Sequence, residues 1–457
     1  MIGQWYLNQL KDQFGGLVTQ DVEFSGVSTD TRSITKGDLF VALVGPNFDG
    51  HDYVEQAFSK GAVAAVVSRS DSVSRKAAWV VDDTRIALAD IAKANRQRFE
   101  GPVYAVTGSS GKTTVKEMLH AILSQNAEVL ATKGNLNNDI GVPLTLFSLK
   151  DQHEIAVIEQ GASARGEIAY TTDISCPDVA ILNNAMGAHL EGFGSLQGVV
   201  ESKAEIFSRL SETGGHAIIN LDDPHADWWL SHTEGLPRLT FSARGDLEAD
   251  LWASDLAPSD NGCFAFVLHR NDEQIDVQLQ VMGQHNVANA LAAASAVSAQ
   301  GMSLKDIASG LGSFSAVSGR MRPLKSARGA LVIDDSYNAN PGSVNAAMDL
   351  LVSLPGESVL VLGDMAELGA DAAEQHEKVG CRAAQKGTDR FWAIGALSRH
   401  SVAAYDAAAG KQGQHFKSHE ELIAALADIA EQGVNILIKG SRSAAMDRVV
   451  KGLTEGE

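Results

Sequence analysis

The sequence predicts an α/β protein of three units: a small N-terminal α/β unit, a central, mostly parallel sheet covered by helices, and a C-terminal doubly wound sheet. Three observations carry this expectation. The chain has 457 residues, enough for two to four domains at roughly 100–200 residues each. Short β-rich runs recur along it, each followed by a turn and a polar or helical segment. The pattern also changes character, becoming more regular from Gly101 and resuming after a Gly- and Ser-rich stretch at 310–323 that reads as a linker.

Taken in order, 38–44 and 62–67 read as strands and 53–60 as a helix. From Gly101 onward, strands are expected at 103–107, 155–159, 179–183 and 217–220. The stretch 237–281 alternates instead, most clearly at 263–268 and 275–281, which predicts antiparallel strands, and the Ala-rich 286–299 predicts a helix. Beyond the linker, strands at 331–334, 358–362, 391–394 and 434–438 alternate with helical segments. No internal repeat and no low-complexity tail interrupts the series.

Composition excludes several classes. Hydrophobic residues make up 44% and charged residues 21%, with 10 Pro and 43 Gly, so most of the chain should fold. Fifty-seven Asp and Glu against 37 Lys and Arg leave a formal charge of -20. That disfavours nucleic acid or an anionic bilayer as partner, while a local basic pocket stays compatible with it. The three cysteines, Cys176, Cys263 and Cys381, are too far apart for a disulfide framework or a clustered zinc site and are expected as core thiols. The first residues carry Lys11 and Asp12 where a signal peptide needs an apolar run, and the longest apolar stretch, 287–299, is shorter than the ~18 residues of a membrane span. A cytoplasmic protein is expected.

Residues 103–114 read VYAVTGSSGKTT: an apolar strand, a turn of Gly108, Ser109, Ser110 and Gly111, then Lys112, Thr113 and Thr114 opening a helix. Glycines let backbone N–H groups converge on phosphate oxygens, and the helix N-terminus adds positive potential. Lys112 neutralises β- and γ-phosphate charge, and the Thr113 hydroxyl can ligate Mg²⁺, so ATP is the expected ligand. The common spacing G-x-x-x-x-G-K-[ST] would need glycine at Val106, which makes this a variant loop. A near match to the nicotinamide fingerprint at Gly192, Gly194 and Gly198 has the wrong spacing and no strand before it.

A nucleotide-bound Mg²⁺ takes further oxygen ligands from the carboxyl ends of neighbouring strands. Glu159 ends such a strand, and it reads equally as a metal ligand or a solvated strand-end carboxylate. His189 lies in the loop NNAMGAHLEGFGS after another strand, where a histidine is either a ligand or an ordinary surface residue. Lys203 reads as an exposed helical lysine or, beside a cation, as an amine of lowered pKa.

Together with the loop at 103–114, the segments KGNLNNDIGVPLTL (133–146), SKAEIF (202–207), GQHNVANALAA (283–293), DDSYNANPGS (334–343), VLGDMAELG (361–369) and KGSRSAAMD (439–447) resemble the Mur ligases, ATP-dependent amide-forming enzymes. The resemblance covers nearly the whole chain. It implies a UDP-sugar-binding domain at 1–99, a central ATP-binding domain at 100–317 and a C-terminal Rossmann-like domain at 318–457. DDSYNANP, GDMAELG and KGSRS are most similar to the family branch that ligates D-alanyl-D-alanine to UDP-N-acetylmuramoyl-tripeptide through an acyl phosphate, which implies those two substrates and a monomer.

The resemblance also implies residue roles. Lys112 binds the γ-phosphate, Thr113 and Glu159 hold one Mg²⁺, and His189 helps hold a second. Lys203 matches a lysine that is carbamylated in the family. Asn286 and Asn289 contact the adenine side, and Arg320 and Asp335 reach the ATP phosphates and ribose. Asn135, Asn137 and Asn138 line the substrate cleft, while Tyr337, Asn338 and Asn340 lie beside the reacting peptide end, assisted by Lys439, Ser441 and Arg442. Ser28, Asp30, Thr31 and Arg32, with Asn47, Phe48, Gly50 and His51, match the uridine-diphosphate end, where Arg32 would offset pyrophosphate charge. Two departures from the family pattern stand out: Ser163 and Ala164 replace Asn-His after the Glu-x-Gly-Ala turn, and Ser318 replaces the proline before Gly-Arg. The rival readings are another amide ligase of the superfamily, either one adding a single amino acid or a folylpolyglutamate synthase, and a nucleotide-driven switch without a small-molecule product. DDSYNANP argues against the first, and a product assay separates the second.

Overall fold

Val103–Thr107 is an apolar run buried along its whole length, as a strand covered on both faces must be. In the computed structural model, which describes residues 1–69, 76–187, 190–259, 262–410 and 413–454, it lies inside a nine-stranded sheet. The order is Val129–Ala131, Ile155–Glu159, Val103–Thr107, Val179–Leu182, His216–Asn220, Arg238–Ser242, Leu251–Pro258, Cys263–Arg270, Glu273–Met282. All neighbours run parallel except the last two pairs. The chain leaves Val103–Thr107, crosses to the far edge at Val129–Ala131 and returns on the other side with Val179–Leu182, so the turn at 108–111 opens at the point where strand order reverses.

Antiparallel pairing therefore covers less of 237–281 than the alternation predicts. Arg238–Ser242 pairs parallel with His216–Asn220, and Leu251–Pro258 parallel with it in turn. The Ala-rich helix His285–Ser298 explains the difference. It packs across these strands, and Phe241 and Leu251 join its apolar face in one buried cluster. The same cluster takes in helices Lys112–Leu123 and Leu304–Ser313.

The expected linker is shorter than predicted. Residues 310–313 form the last turn of Leu304–Ser313, and 322–323 already belong to strand Arg322–Lys325. Gly310 is there for close helix contact, because a Cβ at that position would stand 2.5 Å from Ile122 Cα.

The N-terminal sheet has the order Leu17–Val18, Ala78–Val80, Ala64–Val67, Asp38–Val41, Gly26–Ser28, with only the first pair antiparallel. The strand expected at 38–44 stops at Val41, and Val44–Gly45 turns into a hairpin with Phe48–Asp49. Helix Thr84–Gln97, capped by Asp83 accepting from Arg85 and Ile86 N–H, packs its Ala-rich face between strand Ala64–Val67 and helices Gly141–Leu146 and Glu167–Ser175 of the central unit. That helix has no counterpart in the sequence expectation.

The C-terminal sheet runs Arg322–Lys325, Leu331–Asp335, Val434–Lys439, Glu357–Gly363, Arg390–Ile394, Gln414–Phe416, parallel after the first pair. Val434–Lys439, last in the chain, inserts between Leu331–Asp335 and Glu357–Gly363. Its insertion brings three segments, 334–343, 361–369 and 439–447, to one end of the sheet. Of the cysteines only Cys263 is buried, while Cys176 and Cys381 are partly exposed. Among the described residues, no helix is long and apolar enough to cross a membrane.

Candidate active site

The turn after Val103–Thr107 is built to bring its backbone close against buried side-chain amides. Gly111 caps helix Lys112–Leu123 with φ +78°, and a Cβ there would stand 2.3 Å from Asn289 Oδ1 and 2.5 Å from Asn183 Nδ2. Behind the turn runs a ladder of asparagines. Asn220 Nδ2 donates to Asn183 O (3.0 Å), and Asn183 Nδ2 to Asn289 Oδ1 (2.9 Å) and Ser110 O (3.1 Å). Asn289 Nδ2 donates to Asn286 Oδ1 (2.8 Å), and Asn286 Nδ2 to Met282 O (2.7 Å). Asn184 adds a second clasp, its Oδ1 accepting from Ser110 N–H at 2.9 Å. Asn286 and Asn289 thus stand buried beneath the turn with their amides engaged there. Buried amides in a low-dielectric site hold geometry well only when paired, and every Nδ2 of this ladder has its acceptor.

Lys112 bends back so that Nζ donates to Gly108 O at 2.7 Å. Loss of hydration lowers its pKa, with Arg320 pushing the same way and Glu159 opposing. Glu159 is 2% exposed at the end of its strand. Its Oε1 accepts from Asn137 Nδ2 at 2.8 Å, while Oε2 is buried with no hydrogen-bond partner. A bare carboxylate oxygen costs roughly 1–3 kcal/mol or more to bury, and a cation beside it offsets that cost. The strand-end carboxylate is therefore not a solvated one, and together with the Thr113 hydroxyl it suits a hard cation that keeps phosphate oxygens as its other ligands.

Lys203 lies in helix Leu196–Ala204 and is 3% exposed, which removes the surface-lysine alternative. Burial lowers its pKa to about 7; Lys112 adds to the drop, and Glu167 and Glu205 oppose it. At that value much of the amine is neutral near neutral pH. His189 lies outside the described residues.

From the C-terminal unit, Arg320 Nη2 donates to Thr113 Oγ1 at 3.5 Å. Its guanidinium stacks 4.3 Å from the centre of the Tyr337 ring, with Arg442 at 5.9 Å from the same ring. Asp335 accepts from Lys439 Nζ at 2.5 Å and from Met321 N–H at 3.3 Å, and Lys439 also donates to Asn338 O at 2.9 Å. Asn340 caps helix Pro341–Ser353 by accepting from Ser343 N–H. Ser441 donates through N–H and Oγ to Asp364 O, which ties the 439–447 segment to 361–369. Arg320 thus reaches the phosphate turn at Thr113 with Tyr337 stacked on it, and both Arg320 and Glu159 act on the Lys112 charge.

Other expected residues divide. Asn137 reaches Glu159, but Asn138 accepts from Gly141 N–H at the start of the next helix, and Asn135 is exposed. Ser163 N–H and Ala164 N–H both donate to Glu167 Oε2. In the N-terminal sheet, Ser28 is buried against Asp30 O, Thr31 donates to Gln56, and exposed Arg32 pairs with Asp30 at 2.6 Å. That pairing holds the Asp30 carboxyl at about 2. Asn47 and Phe48 stand in the exposed hairpin. His51 is instead buried between Asp49 Oδ1 (2.6 Å to Nδ1) and Ser68 N–H, which donates to Nε2 (2.9 Å). Both ring nitrogens being engaged, His51 anchors the hairpin.

Sequence reasoning did not pick out the Asn183–Asn289 contact, because single asparagines carry no periodic signal. It also missed Asp223, whose Oδ2 accepts from Ala185 N–H at 2.9 Å and steadies the loop after Val179–Leu182.

Comparison with known proteins finds the profile "Mur ligase family, catalytic domain" over residues 23–99, "Mur ligase middle domain" over 106–297 and "Mur ligase, glutamate ligase domain" over 319–442. The chain is 46% identical over 454 residues to the UDP-N-acetylmuramoyl-tripeptide--D-alanyl-D-alanine ligase of Escherichia coli K12, covering 98% of each. Its fold is similar to that of MurF from Acinetobacter baumannii, with a TM-score of 0.91, 35% identity and 99% of each chain covered. It is also similar to MurF ligase from Thermotoga maritima in complex with ADP, with a TM-score of 0.82, 29% identity and 94% and 96% covered.

Proposed function

Since the chain belongs to the Mur ligase family, we propose that it joins D-alanyl-D-alanine to UDP-N-acetylmuramoyl-tripeptide, with ATP converted to ADP. The observation that carries the chemistry is that Arg320, from the loop before strand Arg322–Lys325, reaches Thr113 at the glycine turn, where Arg320 and the half-bare Glu159 carboxylate both act on the Lys112 charge. A carboxylate cannot acylate an amine directly, because its leaving group would be oxide. Transfer of the γ-phosphoryl group to the terminal carboxylate of the tripeptide, releasing ADP, gives an acyl phosphate. The amine of D-alanyl-D-alanine then adds to that carbonyl, and the tetrahedral intermediate loses phosphate and a proton to leave the amide.

In this reading the N–H groups of Gly111, Lys112 and Thr113, which open the helix, hold the β- and γ-phosphates, while those of Ser109 and Ser110 stay bonded to Asn184. Lys112 releases Gly108 O to meet the γ-phosphate, and Arg320, oriented by Tyr337, meets the same charge from the opposite wall. Thr113 and Glu159 would hold one Mg²⁺, and His189 and Lys203 would support a second; bound there, the metal would neutralise charge on the phosphate oxygens. The low pKa of Lys203 favours its reaction with CO₂, in which the neutral amine adds CO₂ and releases a proton to solvent, leaving a carbamate anion that would support the metal. The groups at 28–32 and 47–50 would take the UDP end, residues 1–99, 100–317 and 318–457 serving as the three domains of the family build. The reading supposes a monomer working in the cytoplasm, where ATP is supplied.

Purified protein should release phosphate only when UDP-N-acetylmuramoyl-tripeptide and D-alanyl-D-alanine are both present, and mass spectrometry should show the pentapeptide product. Equal phosphate release with a single amino acid, or hydrolysis without product, would contradict the assignment.

A further inference from the structure

Lys116 is a buried cation that the chemistry above does not use. It is 2% exposed, on the helix that begins at the phosphate turn, and Nζ donates to Thr132 O at 2.6 Å while touching Glu117 Oε1 at 2.5 Å. Thr132 follows the three-residue edge strand Val129–Ala131, which is paired along one side only. Such an edge frays readily unless tied down. Two further contacts run from it to Glu159. Glu159 N–H donates to Thr132 Oγ1 at 3.0 Å, and the loop after Thr132 delivers Asn137 to Glu159 Oε1.

We propose that Lys116 is a positioning residue that fixes the distance between Thr113 and Glu159, and hence the fit of the divalent cation between them. Lys116 and Thr113 are three apart on one helix and share a face. The helix that presents the Thr113 hydroxyl therefore also grips, one turn later, the strand end against which the Glu159 backbone is bonded. A salt bridge to Glu117 alone needs no such burial, since Glu117 is partly exposed. The contact at Thr132 O explains why the ammonium is inside. This inference rests on the metal reading of Thr113 and Glu159 given above.

The test measures Mn²⁺ binding to the protein–ADP complex by electron paramagnetic resonance, alongside KM for the UDP-linked substrate. Wild type should bind Mn²⁺ with ADP present. Lys116→Met keeps the apolar stem and removes the ammonium. It should fold, as judged by circular dichroism, lose about tenfold or more in Mn²⁺ affinity and keep KM for the UDP substrate within about twofold, with Lys116→Arg recovering part of the loss. Lys116→Leu, which likewise removes the ammonium and keeps an apolar side chain, should lower Mn²⁺ affinity in the same direction and serves if Lys116→Met does not fold. Mn²⁺ affinity within twofold of wild type in whichever of the two variants folds would overturn the proposal. A wild-type complex that bound no Mn²⁺ would instead overturn the metal reading itself, and the proposal with it.

Discussion

The asparagines that support 108–113 from below are buried and bonded to one another, whereas at 28–32 and 44–53 several polar and aromatic side chains reach solvent and the ion pairs are local. Asn183, Asn289 and Asn286 form a continuous ladder under the phosphate turn. Arg32 at the other end is held only by its neighbour Asp30, and Phe48 and Tyr53 are 54% and 47% exposed. The contrast follows from what each region has to do. Charge developing on a transferred phosphoryl group is stabilised best by groups that do not reorganise during the reaction, so that region rests on a buried, bonded support. A large ligand that must enter and leave is better met by exposed groups that order on binding, at a cost in affinity.

If this contrast is right, substitutions in the two regions should fail in different ways. The largest effect is expected at Lys203. Lys203→Ala should lower turnover by about 100-fold or more, and bicarbonate or short carboxylates should restore part of it; near-normal turnover would return the residue to a structural role. The same side chain makes a prediction about stability. Folded Lys203 titrates near 7 against an ordinary 10.5, so between those values the unfolded chain holds more protons and stability rises with pH. Below about pH 7 the full penalty of burying a cation is present. Lys203→Met should therefore stabilise the nucleotide-free protein at pH 6 by roughly 1–4 kcal/mol, with the gain shrinking towards pH 10, as followed by denaturant melts. An inactive but stabler variant would mark the rigid region as one built for chemistry.

Next in size, Gly111→Ala should weaken ADP binding by at least about tenfold and destabilise the fold by roughly 1–3 kcal/mol, because the added methyl meets Asn289 and Asn183 at positive φ. Asn183→Ala breaks the ladder while leaving the turn's backbone alone, and should cost about 1–3 kcal/mol with a smaller loss of nucleotide affinity. Calorimetry and melting curves on the pair separate the strained turn from its support. Smallest should be Arg32→Ala, which is expected to leave Tm and ADP affinity unchanged, since an exposed pair contributes little. It should raise KM for the UDP-linked substrate about tenfold with kcat held. A fall in kcat at constant KM would show that the exposed end takes part in the chemistry and would break the comparison.

The same division governed what could be read in advance. Val103–Thr107, Ile155–Glu159 and the helix that starts at Lys112 were legible because continuous apolar runs bounded by glycine admit few alternatives, and the motifs at 334–343, 361–369 and 439–447 pointed to a shared site before any sheet order was known. Arg238–Ser242 was misread as antiparallel because its partner comes from an earlier parallel strand and its cover from the later helix His285–Ser298. The linker was drawn too long because Gly310 looks like a breaker, although its missing side chain serves helix packing against Ile122. His51 looked like a ligand residue because it sits among polar neighbours, yet Asp49 and Ser68 take both its nitrogens. Helix Thr84–Gln97 escaped notice because its apolar face is mostly alanine, which packs closely without a strong pattern of large side chains. Pairings that span a hundred residues, such as Asn183 with Asn289, leave no trace in local spacing.

The most direct test of the account is a crystal structure of this protein with Mg²⁺ and a non-hydrolysable ATP analogue. The account predicts β- and γ-phosphates cradled by the backbone of 108–113, Lys112 turned away from Gly108 O, and a metal ion on Thr113 Oγ1 and Glu159 Oε2. An analogue bound elsewhere, with Lys112 still on Gly108 O and Glu159 Oε2 still bare, would contradict it.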